Sequence, residues 1–148
     1  MNDEAAAAAR TLVALVLLFA GVHASFAAPE EFAAIVQKYL ILPPGALLPF
    51  ARALPVVEVL VGLSLLLGWR VKWTAAAAMG LFAMFIAALG STLVRHIDLS
   101  DCGCFGGAIH LKPQWTICLD AALLLMSYAA RRRASGYAWL DAWIGRGS

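Results

Sequence analysis

Four stretches of this chain, roughly residues 11–28, 47–68, 73–94 and 115–130, are built almost wholly from apolar side chains. Each approaches the ~20 residues that an α-helix needs to cross the hydrocarbon core of a bilayer. None shows the ten-residue polar–apolar alternation of a membrane barrel strand, and none reads as an amphipathic surface helix. In lipid, a segment of this kind satisfies its backbone hydrogen bonds by forming a helix. With 63% hydrophobic and 14% charged residues among 148, the chain holds more apolar surface than a soluble core of that size could bury. The expected fold is all-α: an integral membrane bundle of four transmembrane helices, in a single domain over residues 1–148. The 11 lysines and arginines are scattered rather than laid in a stripe, so nucleic acid has no electrostatic footprint to use. The lipid bilayer is the partner that composition names.

The connections differ in character. The first is long and carries Pro29, Glu30, Glu31 and Lys38; the second is a tight turn at Trp69-Arg70-Val71-Lys72; the third is rich in glycine. The run Ala5 to Ala9 extends the first helix. Ser25-Phe26-Ala27 after the first apolar stretch also fits a cleavable signal peptide, although Asp3 and Glu4 ahead of Arg10 are the wrong sign for one. Lys and Arg near the span ends set orientation. Cytoplasmic termini put Arg10, Arg70, Lys72, Arg131, Arg132, Arg133 and Arg146 inside and leave Lys38, Arg52, Arg95 and Lys112 outside. The arginine cluster directly after the last span reinforces that choice. Residues 131–148 form a cytoplasmic tail in which Trp139, Leu140, Trp143 and Ile144 recur at helical spacing, as in a helix lying in the interface. The glycine-rich loop then faces outward, which for a bacterial inner (plasma) membrane is the oxidising, periplasmic side.

That loop reads Asp101-Cys102-Gly103-Cys104-Phe105-Gly106-Gly107. A disulfide between Cys102 and Cys104 closes a very small ring, and strained, exposed disulfides are the oxidising and labile ones. Gly103 frees the backbone of the intervening residue, and Gly106 lets the loop fold back. Two other readings of the pair stay open. It can be a structural disulfide or idle thiols, or it can join His96 and His110 in a metal site, although one intervening residue is tighter than structural zinc sites use. Ionisable residues in hydrocarbon are costly and face bundle interiors or functional cavities. Glu58, one turn past Pro55, and Asp120, in the last span, both fall in the outer half, with Arg95 as their expected cationic partner. They form either a structural ion pair or a proton-handling set. Cys118 reads as a small buried hydrophobe.

The run "CGCFG" over residues 102–106, between the third and fourth spans of a small membrane protein, resembles the MauE branch of the MauE/DoxX family of redox-associated membrane proteins. Gly21, Phe32, Tyr39 with Leu42-Pro43, and Leu54-Pro55 with Glu58 and Gly62 agree with it in order. One departure stands out: members often carry a lysine soon after the first-span glycine, and here His23-Ala24-Ser25 occupies the place. The resemblance implies a four-helix membrane protein that assists disulfide formation or redox maturation of an exported client, alongside an exported thioredoxin-like protein. For the name-giving members that client is methylamine dehydrogenase. Cys102 and Cys104 are the expected catalytic residues of a thiol-disulfide oxidoreductase, Phe105 belongs to the loop motif, and no metal is required. No cysteine lies on the expected cytoplasmic side, so electrons pass either to exported proteins alone or to a membrane quinone. The alternative from another class is a non-catalytic assembly factor or small-solute carrier whose loop disulfide only holds shape.

Overall fold

The structure, a computed structural model, describes residues 3–97 and 113–132. Among them are five helices: α1 Asp3–Phe26, α2 Pro29–Lys38, α3 Pro44–Leu67, α4 Val71–Val94 and α5 Pro113–Arg132. Three are long and apolar enough to cross a bilayer, over Glu4–Phe26, Pro44–Leu67 and Val71–Val94. α5 has 20 residues, but Gln114, Asp120, Arg131 and Arg132 leave it less apolar than the other three.

Local chemistry explains where each element starts and stops. The alanine run is a strong helix former, so α1 begins well ahead of the apolar stretch that marked it in the sequence. Pro29 opens α2 with its φ already helical and with no N–H to leave unsatisfied, after Ala28 in extended backbone. Glu30 and Glu31 in the first turn and Lys38 in the last complement the helix dipole. The long first connection, to which the sequence assigned no element, therefore contains a helix. α3 ends at Gly68, whose φ of 71° is the left-handed value glycine adopts at low cost. Its N–H and that of Trp69 close on the carbonyls of Leu65 and Ser64 at 3.2 and 2.9 Å. α4 ends by the same motif with His96 in the left-handed place: His96 donates to Leu93 and Ile97 to Thr92.

α1 packs on α3 and α5, and α4 packs on α3 and α5, so the four long helices close a ring; α2 lies against α3. Val13, Leu17, Leu65, Ala75, Ala78, Phe82 and Leu123 fill the centre. The outer surface is apolar as well, with Leu15, Phe19, Leu60, Leu67, Trp73 and Val94 exposed. Water would not tolerate so much exposed hydrocarbon; lipid would. Buried hydroxyls bond within their own helix, Thr92 to the Leu89 carbonyl at 2.7 Å and Ser127 to that of Leu123 at 2.8 Å, which spares them a search for water.

Two glycines set the α1–α3 spacing. A Cβ on Gly21 would lie 2.8 Å from the Pro55 carbonyl oxygen and 2.9 Å from both Glu58 Cβ and Val59 Cγ2. One on Gly62 would lie 2.9 Å from Leu18 Cγ and 3.1 Å from the Ala14 oxygen. The backbones approach this closely because neither glycine carries a side chain, the usual device for helix association in lipid. Gly21, Pro55, Glu58 and Gly62, separate positions in the sequence resemblance, thus belong to one contact surface.

Candidate functional site

Where α1, α2, α3 and α4 meet they leave a cavity of about 160 Å3. α2 supplies Phe32, Val36 and Tyr39, α3 supplies Phe50, Leu54 and Glu58, and α4 supplies Phe85, Ala88 and Leu89. α2 can serve as a wall because Phe32, Val36 and Tyr39, at spacings of four and three, share one helix face while Glu30, Glu31 and Lys38 are exposed. Tyr39 and Leu89 form a small satellite core together with Ile35 and Ala88. That core fixes the end of α2 against α4.

Glu58 is the acidic residue of the cavity wall and is 3% exposed. Asp120, buried on α5, is close enough to act on it electrostatically. Two acids are therefore brought together inside the bundle, from helices that do not follow one another in the chain.

Arg95 is not their counter-ion. It is exposed, and its Nη1 donates to the Tyr39 carbonyl at 3.3 Å and, at 3.5 Å, to that of Leu40. These carbonyls follow the last turn of α2, where helical partners have run out and where a cation meets the negative end of the helix dipole. Leu40 has a φ of 53°, so the chain turns sharply there and presents both oxygens to one guanidinium. Arg95 is thus a clamp holding α2 to the end of α4. Arg95→Gln should lower stability by about 1–2 kcal/mol through the lost charged hydrogen bond, with loosening confined to α2. Hydrogen exchange should show faster exchange at Phe32–Tyr39 and unchanged protection in α3; equal acceleration in both helices would contradict the clamp.

Cys118 is exposed, not buried. Thr116, Asp120, Leu123, Ser127 and Ala130 turn inward along α5, and a residue two positions from Thr116 and from Asp120 lies on the opposite side. The polar face Thr116, Asp120, Ser127 was a usable signal, because polar groups in a membrane helix turn toward the bundle. His23, where the resemblance leads one to look for lysine, is partly buried with its ring near Phe19, at 6.0 Å between centroids. Its Nδ1 is buried and without a hydrogen bond among the described residues. The expected catalytic residues Cys102 and Cys104, the loop residues Gly103, Phe105 and Gly106, and His110 all lie outside the described residues, as does the tail beyond Arg132.

Long helices with apolar outer surfaces and two acids held between them define a helical membrane protein. The family model described as Methylamine utilisation protein MauE matches residues 2–133. The chain belongs to the MauE family. It is similar to the methylamine utilization protein MauE of Paracoccus denitrificans, 34% identical over 95 residues, which cover 64% of this chain and 51% of that protein. The protein of the same name from Methylophilus methylotrophus is 30% identical over 104 residues, 70% of this chain and 55% of its own. That from Methylorubrum extorquens is 28% identical over 112 residues, 75% and 56% respectively. The chain spans about half the length of these curated relatives. No solved structure matches it.

Proposed function

We propose that this protein is a thiol-disulfide redox component of the bacterial inner membrane, assisting disulfide formation in an exported client, with methylamine dehydrogenase as the client that the family resemblance implies; the relatives' names point to methylamine utilisation. The observation that carries the reading is the Cys102-Gly103-Cys104 pair in a chain that matches the MauE family from residue 2 to residue 133. In this reading α5 is the fourth span. It packs alongside α1 and α4, and its 20 residues rise about 30 Å, the thickness of the hydrocarbon core. Both termini are cytoplasmic, and α2 rests at the outer interface with its charged face toward water.

The working chemistry is thiolate attack on a disulfide through a mixed-disulfide intermediate. The disulfide of Cys102 and Cys104 is attacked by a thiolate of the exported thioredoxin-like protein or of the client; a second thiolate resolves the mixed disulfide. The dithiol that attacks, of the thioredoxin-like protein or of the client, leaves as a disulfide and the Cys102–Cys104 pair leaves reduced, both electrons having moved to it; a thioredoxin-like protein oxidised in this way passes its disulfide to the client by the same exchange. Glu58 and Asp120 lie inside the bundle and support this exchange as a proton-handling pair, while Arg95 keeps α2 in place.

Two measurements on one preparation test the assignment. In intact spheroplasts, a membrane-impermeant maleimide should label Cys102 and Cys104 after mild reduction and leave them unlabelled before it. Labelling that requires breaking the membrane would reverse the orientation. Acid quenching followed by alkylation should show the pair moving between oxidised and reduced forms when client synthesis is induced. A pair that stays oxidised throughout is a brace, and the assembly-factor alternative then holds.

A further inference from the structure

The cavity under α2 presents almost no polar surface; even Glu58 adds hardly any to its walls. Whatever is seated in it is therefore hydrocarbon. Water does not qualify, because a buried water needs two to four polar partners. A volume of about 160 Å3 holds about six carbons, since an apolar cavity of this size takes up one benzene. The cavity is not sealed. Ile41 and Met84 belong to its lining and are also exposed on the outside of the protein, Ile41 just beyond the end of α2 and Met84 on the flank of α4. A hydrocarbon chain has a way in from the bilayer.

Two cations stand beside the Ile41 opening. Arg95 donates from Nη1 to the carbonyls of Tyr39 and Leu40, the two residues before Ile41, and Lys38 precedes Tyr39. Both cations are exposed. Among the described residues Nε and Nη2 of Arg95 make no hydrogen bond, so the guanidinium still has donors to give. Glu30 and Glu31 lie at the other end of α2, about 10 Å away along its axis, which leaves this end positive. We infer that one phospholipid binds here, its phosphate on Arg95 and Lys38 and one of its acyl chains in the cavity. Arginine and lysine are the side chains that take phosphate by charged hydrogen bonds. The spacing along α4 agrees. Leu89 in the cavity wall is about 9 Å from Arg95 along the helix axis, and Met84 about 7 Å deeper. That interval is the length of an extended six-carbon segment, and its depth is the middle of an acyl chain in a leaflet whose hydrocarbon is about 15 Å thick. Lipid that merely coats the apolar faces has no such fixed head and fixed chain position. The inference concerns binding alone and rests neither on the cysteines nor on the orientation of the chain.

The test uses the full chain purified in dodecyl maltoside, with a phosphatidylglycerol carrying a diazirine halfway along one acyl chain as the probe. Photolabelling should saturate at one lipid per chain, and labelled peptides should map to α2, α3 and the Met84–Leu89 stretch of α4. Unlabelled phosphatidylglycerol should compete. Diacylglycerol, with the same chains and no phosphate, should compete at least about tenfold less well, the factor one charged hydrogen bond contributes. Glycerol phosphate, which has the phosphate and no chains, should not compete. Lys38→Gln should weaken binding about fivefold, the contribution of one cation beside an anionic headgroup. Ala88→Phe, which puts a ring into the cavity, should abolish the label in α4. The double variant Cys102→Ser/Cys104→Ser should bind as the parent does, so failure of the redox reading leaves this result untouched. The comparison of competitors needs no variant and stands even if one fails to accumulate. Equal competition by diacylglycerol would make the cavity a site for any hydrocarbon and overturn the inference. Competition by glycerol phosphate, labelling that does not saturate, or a Lys38→Gln protein that binds like the parent would overturn it as well.

Discussion

Replacing either Cys102 or Cys104 with serine should lower disulfide formation in the client by at least about tenfold, because exchange needs both an attackable sulfur and a second one to resolve the intermediate. The amount of protein in the membrane should be unchanged. Among the described residues the bundle is held by contacts among the four long helices. Cys118 provides the internal control. It is exposed on the outer face of α5, so Cys118→Ala should leave both client oxidation and protein level as they are. Full activity in both single variants would remove the pair from the chemistry. A protein that disappears from the membrane when either cysteine is lost would instead make the disulfide structural. The histidines divide the remaining readings, since His96→Ala with His110→Ala should retain activity if the cysteines work alone and lose it if they share a metal.

The second large effect concerns packing. Gly21→Leu should remove most of the protein from the membrane, and Gly21→Ala should destabilise it by about 1–3 kcal/mol. The reason is geometric: the first added carbon would sit 2.8 Å from the Pro55 carbonyl oxygen, and backbone cannot rotate aside as a side-chain tip can. Relief requires α1 and α3 to separate, which opens the interface on which Glu58 also lies. Gly80 is the matched control, because a Cβ there meets nothing within 4 Å. Gly80→Leu should accumulate normally, and its replacement by alanine should be neutral or slightly stabilising in a helix. Quantitative immunoblotting of membranes, with SDS titration of the purified variants, measures both. Equal losses at Gly21 and Gly80 would show that the α1–α3 contact has no special weight.

The long helices were legible because each is apolar on all sides, a pattern that lipid demands and that little else produces. Their ends were less so. Thr11 marks only the start of the apolar stretch; the alanine run before it, read as extending the helix, does so, and helix propensity carries α1 back to Asp3. α2 was missed for a different reason. Pro29 and the glutamates resemble a loop in a hydrophobic sequence, yet proline at the first position and acids in the first turn are what an amphipathic helix begins with. Since α2 forms one wall of the cavity, missing it hid the cavity too. Glu58 and Asp120 were recognisable as charges where charge is costly, and their depth grouped them in one half of the bundle. How they come together was not legible, because it depends on α5 packing back toward α1. Arg95 was assigned to the wrong partner. Opposite charge is visible in a sequence, but two carbonyls left over at the end of a helix are visible only in the fold.

The role of the loop pair can be tested directly by trapping its intermediate. Cells carrying the Cys102→Ser or the Cys104→Ser protein, tagged and quenched in acid, are alkylated and run on a non-reducing gel. In one of the two variants the surviving cysteine should hold a mixed disulfide, seen as a higher band that collapses on reduction and contains the exported thioredoxin-like protein or its client. Absence of that band from both variants, together with normal client disulfides in the double variant, would contradict the redox role.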